Sequence, residues 1–170
     1  MIKRLTILLS FLLFSGFLFS QEIRKGVLDL RDYPINTESI FELKGDCKFY
    51  WNQFIDPNNN NDSGFIFLNQ PMHWNGVEID GTKLTGDGYA SLQFQVILPP
   101  DVKHLAIQTT SINTSYRIYL NGEIIETVGV ADTSKETSIP LRKPRVIDFD
   151  VPSDTLNIVI HIANYHDYSG

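Results

Sequence analysis

The chain has 170 residues, of which 42% are hydrophobic and 20% charged, and its formal net charge is −6 at neutral pH. That length supports one domain burying about two-thirds of its surface. An acidic chain with no Lys/Arg cluster lacks the electrostatic footprint needed to hold a phosphate backbone, which excludes nucleic acid as a partner.

The first element is an export signal. A basic start, "MIKR", leads into the uncharged "LTILLSFLLFSGFLF"; small Ser20 follows, and charge resumes at "QEIRKG". This order predicts a signal peptide over residues 1–20 and a periplasmic or otherwise extracytoplasmic protein. The competing reading is a retained anchor, since the apolar run is near the lower limit for spanning a bilayer. Cleavage removes Lys3 and Arg4 and takes the net charge from −6 to −8. Residues 21–170 then read as a single domain. Its one cysteine, Cys47, has no internal partner, so it is either a small buried hydrophobe or an intermolecular thiol. Its place in "GDCKFYW", with apolar residues at alternate positions, points to the core.

No later segment sustains helical i, i+3, i+4 periodicity. Period-two alternation recurs instead, bounded by turn residues. "GVLDLRDY", "SIFELKG" and "CKFYWNQF" read as strands. "YASLQFQVIL" places Ala90, Leu92, Phe94, Val96 and Leu98 on one face, against Tyr89, Ser91, Gln93 and Gln95 on the other. "HLAIQTT" continues the pattern. In "SYRIYLNGEII", Tyr116, Ile118 and Leu120 point inward, and Ser115, Arg117 and Tyr119 outward. Asn121-Gly122 suits a type I′ hairpin, because both residues tolerate positive φ. "RVIDFDV" alternates, and "TLNIVIHIANY" buries Leu156, Ile158, Ile160 and Ile162 with His161 opposite. The expected fold class is all-β, an antiparallel β-sandwich of jelly-roll type.

Two stretches break the alternation. "DPNNNNDSG" (56–64) offers oxygens at Asp56, Asn58, Asn60 and Asp62, but Asn61 stands where a calcium loop needs Gly and Phe67 where it needs Glu. It reads as a solvated loop. "ADTSKETSIPLRKP" (131–144) reads as a long polar connection.

No nucleophile elbow, HExxH, CxxC or phosphate-cradling loop occurs, so the chain is read as non-enzymatic, with no cofactor. His161, His166 and Asp167 are too few for a zinc site. The aromatic residues Trp51, Trp74, Tyr89, Tyr119 and Tyr165 have rings on which sugar faces stack. Arg117 beside them could pair with a carboxylate-bearing sugar. Trp51 and Trp74 equally suit a core role, Trp74 as a plug closing the sheet. The row Tyr89, Gln93, Gln95, Arg117, Tyr119 is either a ligand face or plain solvated sheet.

The order "GVLDLRDY", "LKGDCKFYWNQFIDP", "PMHWNG", "GDGYASLQFQVILPP", "SINTSYRIYLNGEIIETVGV", "SKE", "IP" and "ANYHDYSG" resembles, over nearly all of residues 26–170, a known module. This is the extracytoplasmic sensor module of bacterial receptors with seven transmembrane helices and diverse intracellular signalling modules. The resemblance implies a galactose-binding-like jelly roll, similar to the sugar-binding domain of family-2 glycoside hydrolases. It implies recognition of a small polar ligand, a carbohydrate among the candidates, and coupling to a membrane-embedded receptor region in cis or to a partner membrane protein. The receptor's output would be a histidine kinase or nucleotide cyclase. It also implies that Asn164 and His166 hold the loop after the last long strand through backbone hydrogen bonds, or contact the ligand. Three departures stand out. Cys47 replaces a family Trp, "NYHDYSG" lacks the family's basic pair, and the chain stops at Gly170 before the family's closing strand. The expected domain therefore lacks that strand. The rival expectations are an accessory sugar-binding module of a family-2-like glycoside hydrolase and a structural or adhesive domain without a small ligand.

Overall fold

The computed structural model describes residues 21–59 and 63–170. The expected signal peptide, like Asn60, Asn61 and Asp62 of the polar loop, lies outside the described residues. Among the described residues there are eleven strands and no helix. They are β1 (Val27–Asp29), β2 (Gly45–Trp51), β3 (Ile66–Gln70), β4 (Glu78–Ile79), β5 (Thr82–Lys83), β6 (Gly88–Ile97), β7 (His104–Thr109), β8 (Ser115–Leu120), β9 (Glu123–Val128), β10 (Arg145–Asp150) and β11 (Thr155–Asn164). The large sheet runs β3-β2-β6-β11-β8-β9, with short β1 paired to β6 as well. A separate ribbon pairs β10 with β7, and β4 with β5 forms a small hairpin.

The two longest strands make the spine of the large sheet. β6 and β11 pair antiparallel over ten residues, with Ala90 opposite Ile162, Leu92 opposite Ile160 and Phe94 opposite Ile158. Each strand has one apolar row, and pairing in this register gathers those rows on one face. Tyr116, Ile118 and Leu120 of β8 join that face. The β7–β10 ribbon packs across it with Leu105, Ile107, Ile147 and Phe149. The result is the expected all-β sandwich, with antiparallel pairing throughout except at β1. Tyr116 links the layers by a 2.8 Å hydrogen bond between its hydroxyl and that of Thr109. Where the thin ribbon covers the broad sheet incompletely, an apolar cavity of about 170 Å³ remains, bordered by Leu43, Phe94, Ile107, Ile118, Ile158 and Ile160.

The β8–β9 turn forms as its chemistry requires, with φ of 47° at Asn121 and 89° at Gly122. A bulge at Ile118/Tyr119 sets one extra residue into β9. Cys47 is 1% exposed and lies opposite Leu68, so it packs as a small hydrophobe. Burial pushes its thiol up to about 12.

Three stretches differ from the expectation. "SIFELKG" contributes only Gly45 to a strand; Ile40 is 90% exposed, and residues 40–44 are irregular. "IFLNQ", not read as a strand, forms β3 on the edge beside β2. The 131–144 connection is fastened down: Val130 and Ile139 bridge, Ser138 donates to the Val130 carbonyl at 3.1 Å, and Leu141 N–H donates to the Thr114 carbonyl at 2.8 Å.

Candidate functional site

The outward row of the large sheet is brought together as expected, since it falls on three adjacent strands. Ser91 of β6 stands opposite His161 of β11, which stands opposite Arg117 of β8; one step along, Gln93, Val159 and Tyr119 align. The expected surroundings are not what the structure has. Residues 52–58, leaving β2, fold back across this face and cover it. Ile55 N–H donates to Ser91 Oγ at 3.1 Å, and Ser91 Oγ donates to the Gln53 carbonyl at 2.8 Å. His161 Nε2 donates to the Ile55 carbonyl at 2.9 Å, with Phe54 stacked on its ring at 4.5 Å and 10°. Ile55, Tyr50, Tyr119 and Val159 then form a second small core.

The reading of the row as plain solvated sheet therefore fails at Gln93 and Tyr119, while Tyr89, Gln95 and Arg117 keep partial exposure. Gln93 is 3% and Tyr119 8% exposed, because the crossing segment takes the place of solvent. Tyr119 is also withdrawn as a stacking surface: it packs on His161 with ring centres 4.8 Å apart, and its hydroxyl accepts from Arg117 Nη1 at 3.3 Å. Tyr89 and Arg117 stay half-buried at the margin, Tyr89 edge-on to Phe54 at 5.0 Å. The 131–144 connection reaches this margin. Tyr165 donates to the Thr133 carbonyl at 2.6 Å, and Asp132 is held below the usual carboxylate range, chiefly by the Thr133 backbone N–H, with the Arg117 charge adding to the effect.

Burial under residues 52–58, reinforced by the Arg117 charge, lowers the His161 pKa below its ordinary value, against the opposing hydrogen bond to Ile55. The folded state thus favours the neutral ring. The unfolded chain takes up a proton near pH 6.5, so stability is complete above that pH and falls as pH drops toward the folded pKa. The melting temperature is expected to fall between pH 7.5 and 5.5, and His161→Gln should flatten that dependence. An unchanged slope in the variant would remove His161 as its source.

The other expected site residues lie elsewhere. Trp74 is 4% exposed, packed against Phe49 and Trp51 with ring centres 6.1 and 5.4 Å away, and its Nε1 donates to the Gly86 carbonyl at 3.1 Å. It plugs the end of the core, which removes it as a ligand contact. Asn164 is fully buried and spends its amide on the chain: Nδ2 donates to the Gly86 and Asp167 carbonyls at 2.9 and 3.0 Å, and Oδ1 accepts from the Asp167 N–H at 3.2 Å. His166 is exposed and reaches the Ser138 carbonyl at 3.3 Å. Both residues thus hold backbone around the segment after β11.

Gln93 and Gln95 of the expected row border a polar pocket, of about 270 Å³, that also takes in Lys25, Lys48 and Asn157. Its position follows from the sheet's connectivity. Along one side of β6, antiparallel β2 pairs with residues 90–93 and parallel β1 with residues 95–97. The pocket opens where β6 changes partner, because neither neighbour can fill the junction. Gln93 is fixed by Tyr50, whose hydroxyl donates to its Oε1 at 3.0 Å, and its Nε2 donates to Asn157 Oδ1 at 3.3 Å. Asn157 Nδ2 in turn donates to the Pro57 carbonyl at 3.4 Å. The pocket floor is a preset amide network. Alternation could not reveal it, since the pocket depends on β1 and β2 meeting at one strand. Among the described residues no group of three His, Cys, Asp or Glu side chains is placed to hold a metal ion.

No family model and no curated protein matches the sequence. Solved structures do. A β-glucuronidase of an uncultured Clostridium sp. superposes with a TM-score of 0.60 at 17% identity, over 79% of this chain and 24% of that one. The Faecalibacterium prausnitzii β-glucuronidase gives 0.56 at 17% identity, over 77% and 22%, and the Ruminococcus gnavus β-glucuronidase 0.54 at 19%, over 78% and 23%. The likeness is one of fold. The chain spans less than a quarter of the length of these enzymes.

Proposed function

We propose that this chain is a non-catalytic, extracytoplasmic ligand-binding domain that takes a small polar molecule into the pocket at the β1–β2 junction and passes the bound state to a membrane-embedded receptor region or partner. The observation that carries the reading is the pocket itself: a concave site on a rigid sheet, floored by the hydrogen-bonded amides of Gln93 and Asn157. Amide groups held in place read hydroxyl positions at little ordering cost. Signalling would follow if the ligand bound one arrangement of the domain and its membrane partner better than the other.

A second reading, an accessory sugar-binding module of a glycoside hydrolase, is favoured by the superposition on segments of β-glucuronidases. Both readings require a bound ligand. A thermal-shift screen of the purified protein against sugars, amino acids and nucleosides at millimolar concentration should find at least one that raises the melting temperature. If none does, both readings fail and the domain is structural or adhesive. Full-length context separates the two: apolar segments of about 20 residues mark the receptor, an appended domain with paired carboxylates the hydrolase.

A further inference from the structure

We infer that the cavity between the β7–β10 ribbon and the large sheet is a second binding site, one that takes a compact, uncharged apolar molecule of benzene to indole size. It lies on the sheet's inward face, opposite to that of Gln93 and Asn157, so the inference goes beyond the polar-pocket reading and does not depend on it. The cavity holds about 170 Å³. Protein interiors are packed tightly enough that voids larger than a water molecule are few. An apolar cavity of about 150 Å³ lined by Leu, Ile and Phe stays dry and accepts benzene. Here the sheet supplies a rigid floor: Phe94 stands opposite Ile158, and Ile160 opposite Ile118, on three strands laddered side by side. Ile107 faces them from the ribbon, and Ile112 joins the wall. Five isoleucines thus border the space. A β-branched side chain is stiff about χ1, so these cannot swing in to fill it.

The lining chemistry selects the occupant. Among the described residues, no charged side chain borders the cavity. Its polar members are Gln108, Thr109 and Thr110. Gln108 and Thr110 are exposed. The buried Thr109 hydroxyl is already engaged, sharing a 2.8 Å hydrogen bond with the Tyr116 hydroxyl and accepting from the Arg145 N–H at 3.2 Å. A water held inside needs about two to four polar partners, which this lining does not offer. An ion or a sugar would lose its hydration there with nothing to replace it. A flat uncharged ring instead gains contact with the Phe94 ring and the isoleucine methyls. The site is also reachable. Ile160 sits midway along β11, between β6 and β8, and faces the core, yet it stays half-buried. A central-strand residue keeps such exposure only where the covering layer leaves an opening. Leu43, 36% exposed in the irregular stretch before β2, also borders the cavity.

The test titrates the purified protein with benzene, indole and benzoate, reading the melting temperature and the methyl NMR signals of its isoleucines. At roughly ten times its dissociation constant, benzene or indole should raise the melting temperature by about 3–6 °C. Either should shift the methyl signals of Ile107, Ile118, Ile158 and Ile160 and leave Ile55, on the sheet's other face, unmoved. Benzoate, which adds a carboxylate to the same ring, should bind at least tenfold more weakly than benzene. Ile107→Phe fills the space from the ribbon and should lose tenfold or more in benzene affinity. If that variant does not fold, Leu43→Phe narrows the cavity from its exposed rim and should show the same loss. Absence of any shift with benzene and indole in the unmodified protein would overturn the inference, as would shifts confined to isoleucines outside the cavity. Undiminished benzene affinity in the folded variant would overturn the placement. Benzoate binding as tightly as benzene would overturn the selection against charge. The screen of sugars, amino acids and nucleosides bears on the polar pocket alone, so its failure leaves this cavity's role standing.

Discussion

Replacing Gly45 with alanine is expected to destabilise the protein by roughly 3 kcal/mol or more, a value seen when backbone strain and overpacking coincide. Gly45 opens β2 with φ of 118°, which excludes a residue bearing a Cβ. It also lies against the N-terminal segment. An alanine Cβ would stand 2.2 Å from the Ile23 carbonyl oxygen and 2.7 Å from its nitrogen, and backbone cannot turn aside as a flexible side chain can. The clash falls on a stitched contact: Ile23 N–H donates to the Lys44 carbonyl and Asp46 N–H to the Ile23 carbonyl, both at 2.7 Å. Ile23 is 1% exposed, so lifting its backbone also withdraws a buried side chain. The melting temperature should fall by about 10 °C, given a few degrees per kcal/mol at this size. Amide exchange at Asp46 should accelerate beyond that at β11. An unchanged melting temperature would mean that the N-terminal segment is not locked to β2.

Asn164→Leu should cost about 3 kcal/mol, because each buried group left without its partner carries a desolvation penalty of about 1–3 kcal/mol. The leucine keeps the volume and loses all three hydrogen bonds, stranding the Asp167 carbonyl and N–H and leaving the Gly86 carbonyl with Trp74 Nε1 as its donor. The damage extends along residues 165–170, which several loops hold in place. Asn75 donates to the Tyr168 carbonyl at 2.7 Å, Asn113 to that of Ser169 at 3.0 Å, and Trp74 N–H to that of Gly170 at 2.7 Å. Asn164→Asp is a sharper probe. A carboxylate facing two carbonyls has its pKa raised, so this variant's stability is present at low pH and lost as pH rises through the folded value. A variant whose melting temperature, measured relative to the unmodified protein's at each pH, failed to fall between pH 5 and pH 7 would show that Asn164 does not sit between those carbonyls.

The strands were legible wherever one face met the core and the other did not. Ala90, Leu92, Phe94 and Val96 against Ser91, Gln93 and Gln95 is a two-faced pattern, and β6 follows it. "SIFELKG" alternates equally well but has no neighbour to pair with, and alternation cannot distinguish a strand from an unpaired extended stretch. The fate of the outward row was hidden for a different reason. "NQFIDP" carries only Phe54 and Ile55 as apolar residues, too few to announce a covering segment. What seats it is tertiary: the hydroxyl of Ser91 and the ring of His161 supply the partners its backbone needs. Lys25 and Lys48, 23 positions apart, gave no common pattern, because their meeting depends on which strands flank β6.

The β7–β10 ribbon has a mechanical consequence. Its ladder closes on itself over six residue pairs, and no backbone ladder ties it to the broad sheet. Side-chain packing, the Tyr116–Thr109 bond and the Arg145–Glu126 ion pair at 3.1 Å hold it down, so it can tilt as a rigid plank without breaking a strand pairing. A hinge of that plank about its own connections would widen and narrow the oily gap beneath Ile107 while leaving the β6–β11 ladder intact.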